Sequence, residues 1–198
     1  MSSMMHLITG GSASGKSEYA EAQALALKKR SPRSPMFYVA TMWNDGAEAM
    51  ERIERHRALR AGKGFITLEC PVSMQEACDA VKDHPDSIVL LECLSNLAAN
   101  VMFAPEAEAL HARGSGREVW EDDCFDILTQ EIDQLANSVG HLIIVSNEIY
   151  SDGVDYDEMT TSYIRLMGRL HQYFAKESSR VTEVVYGCAI RHKEELCK

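Results

Sequence analysis

Apolar and polar positions along the chain fall into two kinds of run. Short, nearly unbroken apolar stretches occur at 4–9, 36–41, 65–68, 87–91, 141–146 and 181–187, and each reads as a strand. The run Ser87-Ile88-Val89-Leu90-Leu91 has no polar alternation after its first residue, as expected of a central parallel strand covered on both faces. Helices are predicted between these strands. Residues 17–29 are rich in Ala, Glu, Leu and Lys, with no internal Gly or Pro. Residues 47–61 read as a second helix. A third starts at Ser73, a candidate N-cap with Glu76 completing a capping box, and runs toward Asp83-His84-Pro85. Phe125, Leu128, Ile132 and Leu135 mark a fourth. Residues 155–175 carry an apolar stripe at Met159, Tyr163, Leu166, Met167, Leu170 and Phe174. Two segments fit neither pattern: 104–121 reads as a loop insertion, and 191–198 as a charged tail. Strand and helix in alternation predict an α/β fold, a mainly parallel sheet flanked by helices.

Composition narrows the class. A chain of 198 residues suffices for one domain with a substantial core. A net charge of −10 argues against general nucleic-acid or membrane-surface binding, because either needs a basic footprint. The basic, proline-punctuated connector Lys28-Lys29-Arg30-Ser31-Pro32-Arg33-Ser34-Pro35 reads as a solvated helix exit rather than a nucleic-acid patch, since cations suit a helix C-terminus and proline stops the helix. Six scattered cysteines form no C-x-x-C pair and read as reduced thiols, mostly in the core. The first residues lack a secretory pattern and no apolar run approaches the ~20 residues of a membrane span, so a cytoplasmic protein is expected.

The chemistry begins at Gly10-Gly11-Ser12-Ala13-Ser14-Gly15-Lys16-Ser17, which fits G-x-x-x-x-G-K-[ST] without a mismatch. Glycines let successive backbone N–H groups face phosphate oxygens, and the following helix adds the positive end of its dipole. Lys16 can reach the outer phosphates as a point charge, and the Ser17 hydroxyl can ligate Mg²⁺. With a strand before it and a helix after it, the motif implies a nucleoside triphosphate site. Glu69 and Glu92 stand at the carboxyl ends of predicted parallel strands, where open α/β sheets place their ligands. Glu92 ends the most buried run and is the candidate to orient the metal.

In the second helix Arg52, His56 and Arg60 are spaced i, i+4, i+8 and share one face. Two readings of that stripe stand side by side. It is a phosphate-facing surface whose arginines keep His56 neutral and nucleophilic, or a solvated face laced by Glu48–Arg52 and Glu51–Arg55 pairs. No N-K-x-D segment for reading guanine, as in regulatory GTPases, is present.

These residues, in order, resemble the bifunctional adenosylcobinamide kinase/adenosylcobinamide-phosphate guanylyltransferases. The resemblance rests on Ile8-Thr9-Gly10-Gly11 with Ser14-Gly15-Lys16-Ser17, Tyr38-Val39-Ala40-Thr41, and Arg52-Ile53 with His56 and Arg60. It continues through Glu69-Cys70, Leu90-Leu91-Glu92-Cys93 with Asn100, and Val145-Ser146-Asn147-Glu148. It implies a RecA-like phosphate-loop fold, a homotrimer, and two reactions. A nucleoside triphosphate, ATP or GTP, phosphorylates a corrinoid hydroxyl, and GTP then donates GMP to that phosphate through a guanylyl-histidine. His56 matches the nucleophile. Ala40, Thr41, Met42, Arg57, Ala58, Leu59, Arg60, Glu69 and Glu92 match nucleotide-contacting positions. After Glu148 the chain departs from the family, reading Ile149-Tyr150-Ser151-Asp152-Gly153 and later Tyr163-Ile164-Arg165-Leu166. Two alternatives therefore accompany this reading: an enzyme with only one of the two activities, and a nucleotide-binding regulator without chemistry at His56.

Overall fold

The structure is a computed structural model and describes residues 4–43, 61–103, 117–150 and 153–195. Seven strands form one sheet. In chain order they are β1 (Met4–Gly10), β2 (Met36–Ala40), β3 (Ile66–Glu69), β4 (Ile88–Glu92), β5 (His141–Asn147), β6 (Arg180–Val185) and β7 (Cys188–Glu194). Their spatial order is β3-β2-β4-β5-β1-β6-β7, every neighbouring pair parallel except β6 with β7. Five helices are described: α1 (Lys16–Arg30), α2 (Gln75–Val81), α3 (Leu94–Phe103), α4 (Arg117–Ser138) and α5 (Glu158–Glu177). This is the mainly parallel α/β sheet flanked by helices expected from the sequence.

Two apolar layers hold the sheet. On one face Ile8, Tyr38, Leu90 and Val145 pack on α1, whose Ala20 and Ala24 are small enough to let the helix lie close. On the other face Leu7, Val39, Leu91 and Ile144 meet Met74 beside α2, Leu97 of α3, Leu128 and Ile132 of α4, and Leu166 and Phe174 of α5. Strand β4 is buried on both sides, which explains its unbroken apolar run.

Four expectations change. Residues 117–121 are not insertion but the start of α4, where buried Trp120 donates its indole N–H to Met102 O at 3.3 Å. The remainder of that segment, 104–116, lies outside the described residues. The charged tail at 191–198 is, as far as Glu194, strand β7, joined to β6 by a two-residue turn at Tyr186-Gly187. The fifth helix starts at Glu158, capped by Asp157, so Met159 sits in its first turn and is exposed rather than part of the apolar stripe.

The fourth change concerns the capping box. Ser73 Oγ does accept the Gln75 N–H at 3.2 Å, yet its partner is not Glu76. Glu131 of α4 reaches across, accepting from Met74 N at 2.6 Å and from Ser73 Oγ at 3.1 Å. A carboxylate from another helix thus serves the positive N-terminal end of α2.

Candidate active site

The site is built at the carboxyl end of the parallel strands, where β1 turns into α1. Two glycines there answer to geometry. A Cβ on Gly10 would stand 2.4 Å from Val184 O and 2.7 Å from Ser14 Oγ, so no larger residue fits between β1 and β6. Gly15 has φ 92, a left-handed conformation that side chains disfavour, and it leads straight into α1. Gly15 is the N-cap of that helix and makes no side-chain cap bond, and a helix end of this kind is suited to an anion. The loop is closed by Ser14 N–H donating to Gly11 O at 3.2 Å and by Glu148 N–H donating to Gly10 O at 3.0 Å. Ser14 Oγ is buried without a hydrogen-bond partner among the described residues.

Lys16 lies across the loop, its Nζ donating to Gly11 O at 2.8 Å. Burial lowers its pKa below the ordinary lysine value, while Cys93 and Glu92 act in the opposite direction. Ser17, one residue on, donates its hydroxyl to Glu92 Oε1, and Tyr38 OH donates to Oε2 of the same carboxylate at 3.1 Å. Glu92 is not on the strand next to β1. Strand β5 lies between, and the carboxylate reaches Ser17 because Ile88, Leu90 and Glu92 face α1. A hydroxyl and a carboxylate in contact are both hard oxygen donors, and Mg²⁺ takes such a pair while leaving its other positions to water and phosphate. Among the described residues no three His, Cys, Asp or Glu side chains cluster around a metal position.

Glu69 and Glu92 both register with Ala40, so they share one level at the same end of the sheet. Two strand spacings, about 10 Å, separate them. Thr41 is fully buried and its hydroxyl is engaged both ways, donating to Cys93 O at 2.8 Å and accepting from Cys93 N at 2.7 Å. Asn100 of α3 donates from Nδ2 to Thr41 O and to Pro71 O, at 2.8 and 2.7 Å. These bonds fix how β2, β3 and β4 end relative to each other, and so fix the two carboxylates. Met42 follows them on the exit from β2. Ser12 and Ala13 are exposed at the crest of the phosphate loop. Cys93 is buried, its thiol pKa raised by that burial, and it contacts Ser95 Oγ at 3.1 Å. It is a core residue, as are Cys70, Cys78 and Cys124, whereas Cys188 is exposed. Arg52, His56, Arg57, Ala58, Leu59 and Arg60 lie outside the described residues, which resume with a turn at Ala61-Gly62.

Three features of this end of the sheet escape a reading of sequence. Tyr38 is indistinguishable from a core aromatic until its hydroxyl is seen on Glu92. His171 of α5 accepts or donates at both ring nitrogens, to Tyr150 OH and Ser146 Oγ, each at 2.7 Å. Burial lowers its pKa to about 4, so the ring is neutral. It pins the segment after β5, the one that departs from the family pattern, against the end of the sheet. Third, the β6–β7 turn rests on the phosphate loop, Gly187 N–H donating to Ser14 O at 2.8 Å.

The chain is similar to known proteins over nearly its whole length. The family model described as cobinamide kinase / cobinamide phosphate guanyltransferase matches residues 6–192. Three bifunctional adenosylcobalamin biosynthesis proteins are similar over nearly their whole length. CobP of Pseudomonas aeruginosa is 30% identical, covering 97% of this chain and 99% of the relative. The CobU proteins of Salmonella typhimurium and Escherichia coli are 29% and 27% identical, each covering 96% of this chain and 100% of the relative. The solved flagellar accessory protein FlaH from Methanocaldococcus jannaschii aligns at TM-score 0.49 and 13% identity, over 97% of this chain and 79% of that one, too distant a likeness to carry an argument. No helix among the described residues is long and apolar enough to cross a membrane. With the model matching nearly from end to end, and the phosphate loop, Ser17 and Glu92 assembled at one end of the sheet, the chain belongs to the cobinamide kinase / cobinamide phosphate guanyltransferase family of kinases and nucleotidyltransferases.

Proposed function

We propose that this chain phosphorylates the side-chain hydroxyl of adenosylcobinamide from a nucleoside triphosphate and then transfers GMP from GTP to the new phosphate, through a guanylyl adduct on His56. The observation that supports the phosphoryl half is the contact of Ser17 with Glu92 beside Lys16, in a loop whose helix N-terminus is uncapped. Family membership supplies the substrates. Backbone N–H groups of 10–17 receive the phosphate oxygens, and the Lys16 ammonium sits where charge develops on the transferring group. The hydroxyl oxygen of the corrinoid attacks the terminal phosphorus, and the bond to the diphosphate leaving group breaks. Ser17 and Glu92 would hold Mg²⁺, which when bound offsets negative charge on the phosphates. Tyr38, by donating to Glu92, keeps that carboxylate turned toward Ser17.

In the second reaction a ring nitrogen of His56 attacks the α-phosphorus of GTP and pyrophosphate leaves. The corrinoid phosphate then attacks the same phosphorus and frees the imidazole. Splitting the transfer in two is the reason to place a histidine there. The residues matched to nucleotide contact (Ala40, Thr41, Met42, Arg57, Ala58, Leu59, Arg60 and Glu69) serve this stage, Thr41 as a backbone fastener rather than a free hydroxyl. A cytoplasmic homotrimer completes the reading, with a mass three times the monomer's expected by light scattering.

The deciding experiment uses His56→Ala. Wild-type protein incubated with GTP labelled at the α-phosphate, then denatured, should carry an acid-labile, base-stable label, and should convert adenosylcobinamide first to its phosphate and then to the GDP-linked product. The variant should lose the label and the second product while phosphorylation continues. Equal, modest losses of both activities would make His56 structural, and a labelled variant would point to another nucleophile.

A further inference from the structure

The turn between β6 and β7 holds a residue that its own backbone disfavours. Val185 pairs with Cys188, so the hairpin closes on two residues, Tyr186 and Gly187, with φ of 51 and 78. Both are in the left-handed region, the type I′ geometry that Asn-Gly adopts readily and an aromatic residue does not. Tyr186 nevertheless occupies the first position, 96% exposed. A bulky ring in a strained conformation with nothing packed on it has no structural reason to be there.

Its place in the fold supplies one. Gly187 N–H donates to Ser14 O at 2.8 Å, and Gly187 Cα lies 3.4 Å from where a Cβ on Gly15 would sit. Three residues earlier, Val184 O closes on Gly10. The hairpin therefore grips the phosphate loop at both of its ends, and Tyr186 is carried at a fixed position on the rim. The opposite rim is the β4 side, where Ser17 meets Glu92. A triphosphate whose terminal phosphate lies toward Ser17 and Glu92 must lead its ribose and base out of the loop on the β6–β7 side. We propose that Tyr186 is a stacking platform for the nucleobase of the triphosphate held in the phosphate loop, in the orientation used for phosphoryl transfer. The assignment rests on the reading of residues 10–17 as the phosphate cradle. Stacking uses the face of the ring and not hydrogen-bond readout, so it takes adenine and guanine alike and leaves donor choice permissive.

The test compares a nucleotide with its phosphate part alone. Calorimetric titrations with Mg²⁺ and either the non-hydrolysable ATP analogue with an imido bridge or inorganic tripolyphosphate would be run on wild-type, Tyr186→Phe, Tyr186→Ala and Tyr186→Asn proteins. Loss of one aromatic–base stack corresponds to a weakening of about 5- to 100-fold. That is expected for the ATP analogue in the Ala and Asn variants, with Phe within about twofold of wild type and tripolyphosphate unchanged throughout. Asn suits the left-handed turn, so Tyr186→Asn should melt at or above the wild-type temperature while binding the analogue less well, which separates the effect from unfolding. The proposal is overturned if the Ala and Asn variants bind the analogue within twofold of wild type, including the case where only the oligomeric mass changes. It is also overturned if tripolyphosphate affinity falls as far as analogue affinity, because the hairpin would then only shape the loop. Wild-type protein that binds neither probe would instead remove the phosphate cradle itself, and the platform with it.

Discussion

A buried histidine, His6, and a half-buried one, His171, make the stability of this fold depend on pH in mild acid. His6 in β1 has its pKa lowered from 6.5 to about 4 by burial first, then by Arg180, and shares a hydrogen bond with Thr182 Oγ1 at 2.9 Å. His171 is lowered to about 4 by burial, between Tyr150 and Ser146. Hydroxyl partners can rotate to accept from an imidazolium, so lost hydrogen bonds are not the main cost; desolvation of the charge is. In each case the folded pKa lies below the unfolded one. Between the two values the unfolded chain holds more protons, so lowering the pH favours unfolding. The stabilisation is in place above about pH 6.5 and is lost progressively toward pH 4. A pKa unit is worth about 1.4 kcal/mol, so each histidine contributes at most about 3 kcal/mol, and the pair a slope near 2.7 kcal/mol per pH unit. Against a net stability of about 5–15 kcal/mol that is enough to bring the protein close to unfolding in mild acid. Urea titrations from pH 7.5 to 4.5 on wild type, His6→Gln and His171→Gln would measure it. Each variant should lose about half of the slope. A stability flat between pH 7 and 5, or variants as steep as wild type, would refute the burial argument.

Lys16→Ala should lower phosphoryl transfer by at least about 10²-fold, with a melting temperature close to wild type, since the side chain's one described bond is to Gly11 O; near-normal turnover would remove the loop from the active site. Glu92→Gln keeps the side chain's shape but removes its charge and one of its two acceptor oxygens, so the Mg²⁺ concentration needed for half-maximal kinase activity should rise at least about tenfold, with unchanged demand counting against the metal assignment. Gly10→Ala forces a Cβ to within 2.4 Å of Val184 O, and should cost about 1–3 kcal/mol in urea unfolding together with nucleotide affinity. Glu131→Ala strips the N-terminal end of α2 of its carboxylate and should cost about 1–3 kcal/mol of stability while leaving kcat unchanged, because α2 packs on the face of the sheet opposite α1 and Ser17.

What the sequence disclosed and what it withheld divide along a physical line. The phosphate loop was legible because backbone conformation dictates its glycines, and strand β4 because burial on both faces leaves no room for polar alternation. Strand β7 was hidden because it is an exposed edge, with no apolar alternation to read, and because its turn carries Tyr186 where Asn would have announced a hairpin. Glu131 was hidden because it caps a helix 57 residues away. Glu69 and Glu92 show the limit most clearly. Each is a carboxylate at the end of a parallel strand and each registers with Ala40; the unbroken apolar run before Glu92 is the local difference between them. The strand order accounts for the contact. Placing β4 two strands from β1, with β2 and β3 beyond it, gives Glu92 to Ser17 and leaves Glu69 at the outer edge. In the proposed reading, a nucleotide that touched both would lie along the carboxyl ends of β3, β2 and β4, across a floor held level by Thr41 and Asn100.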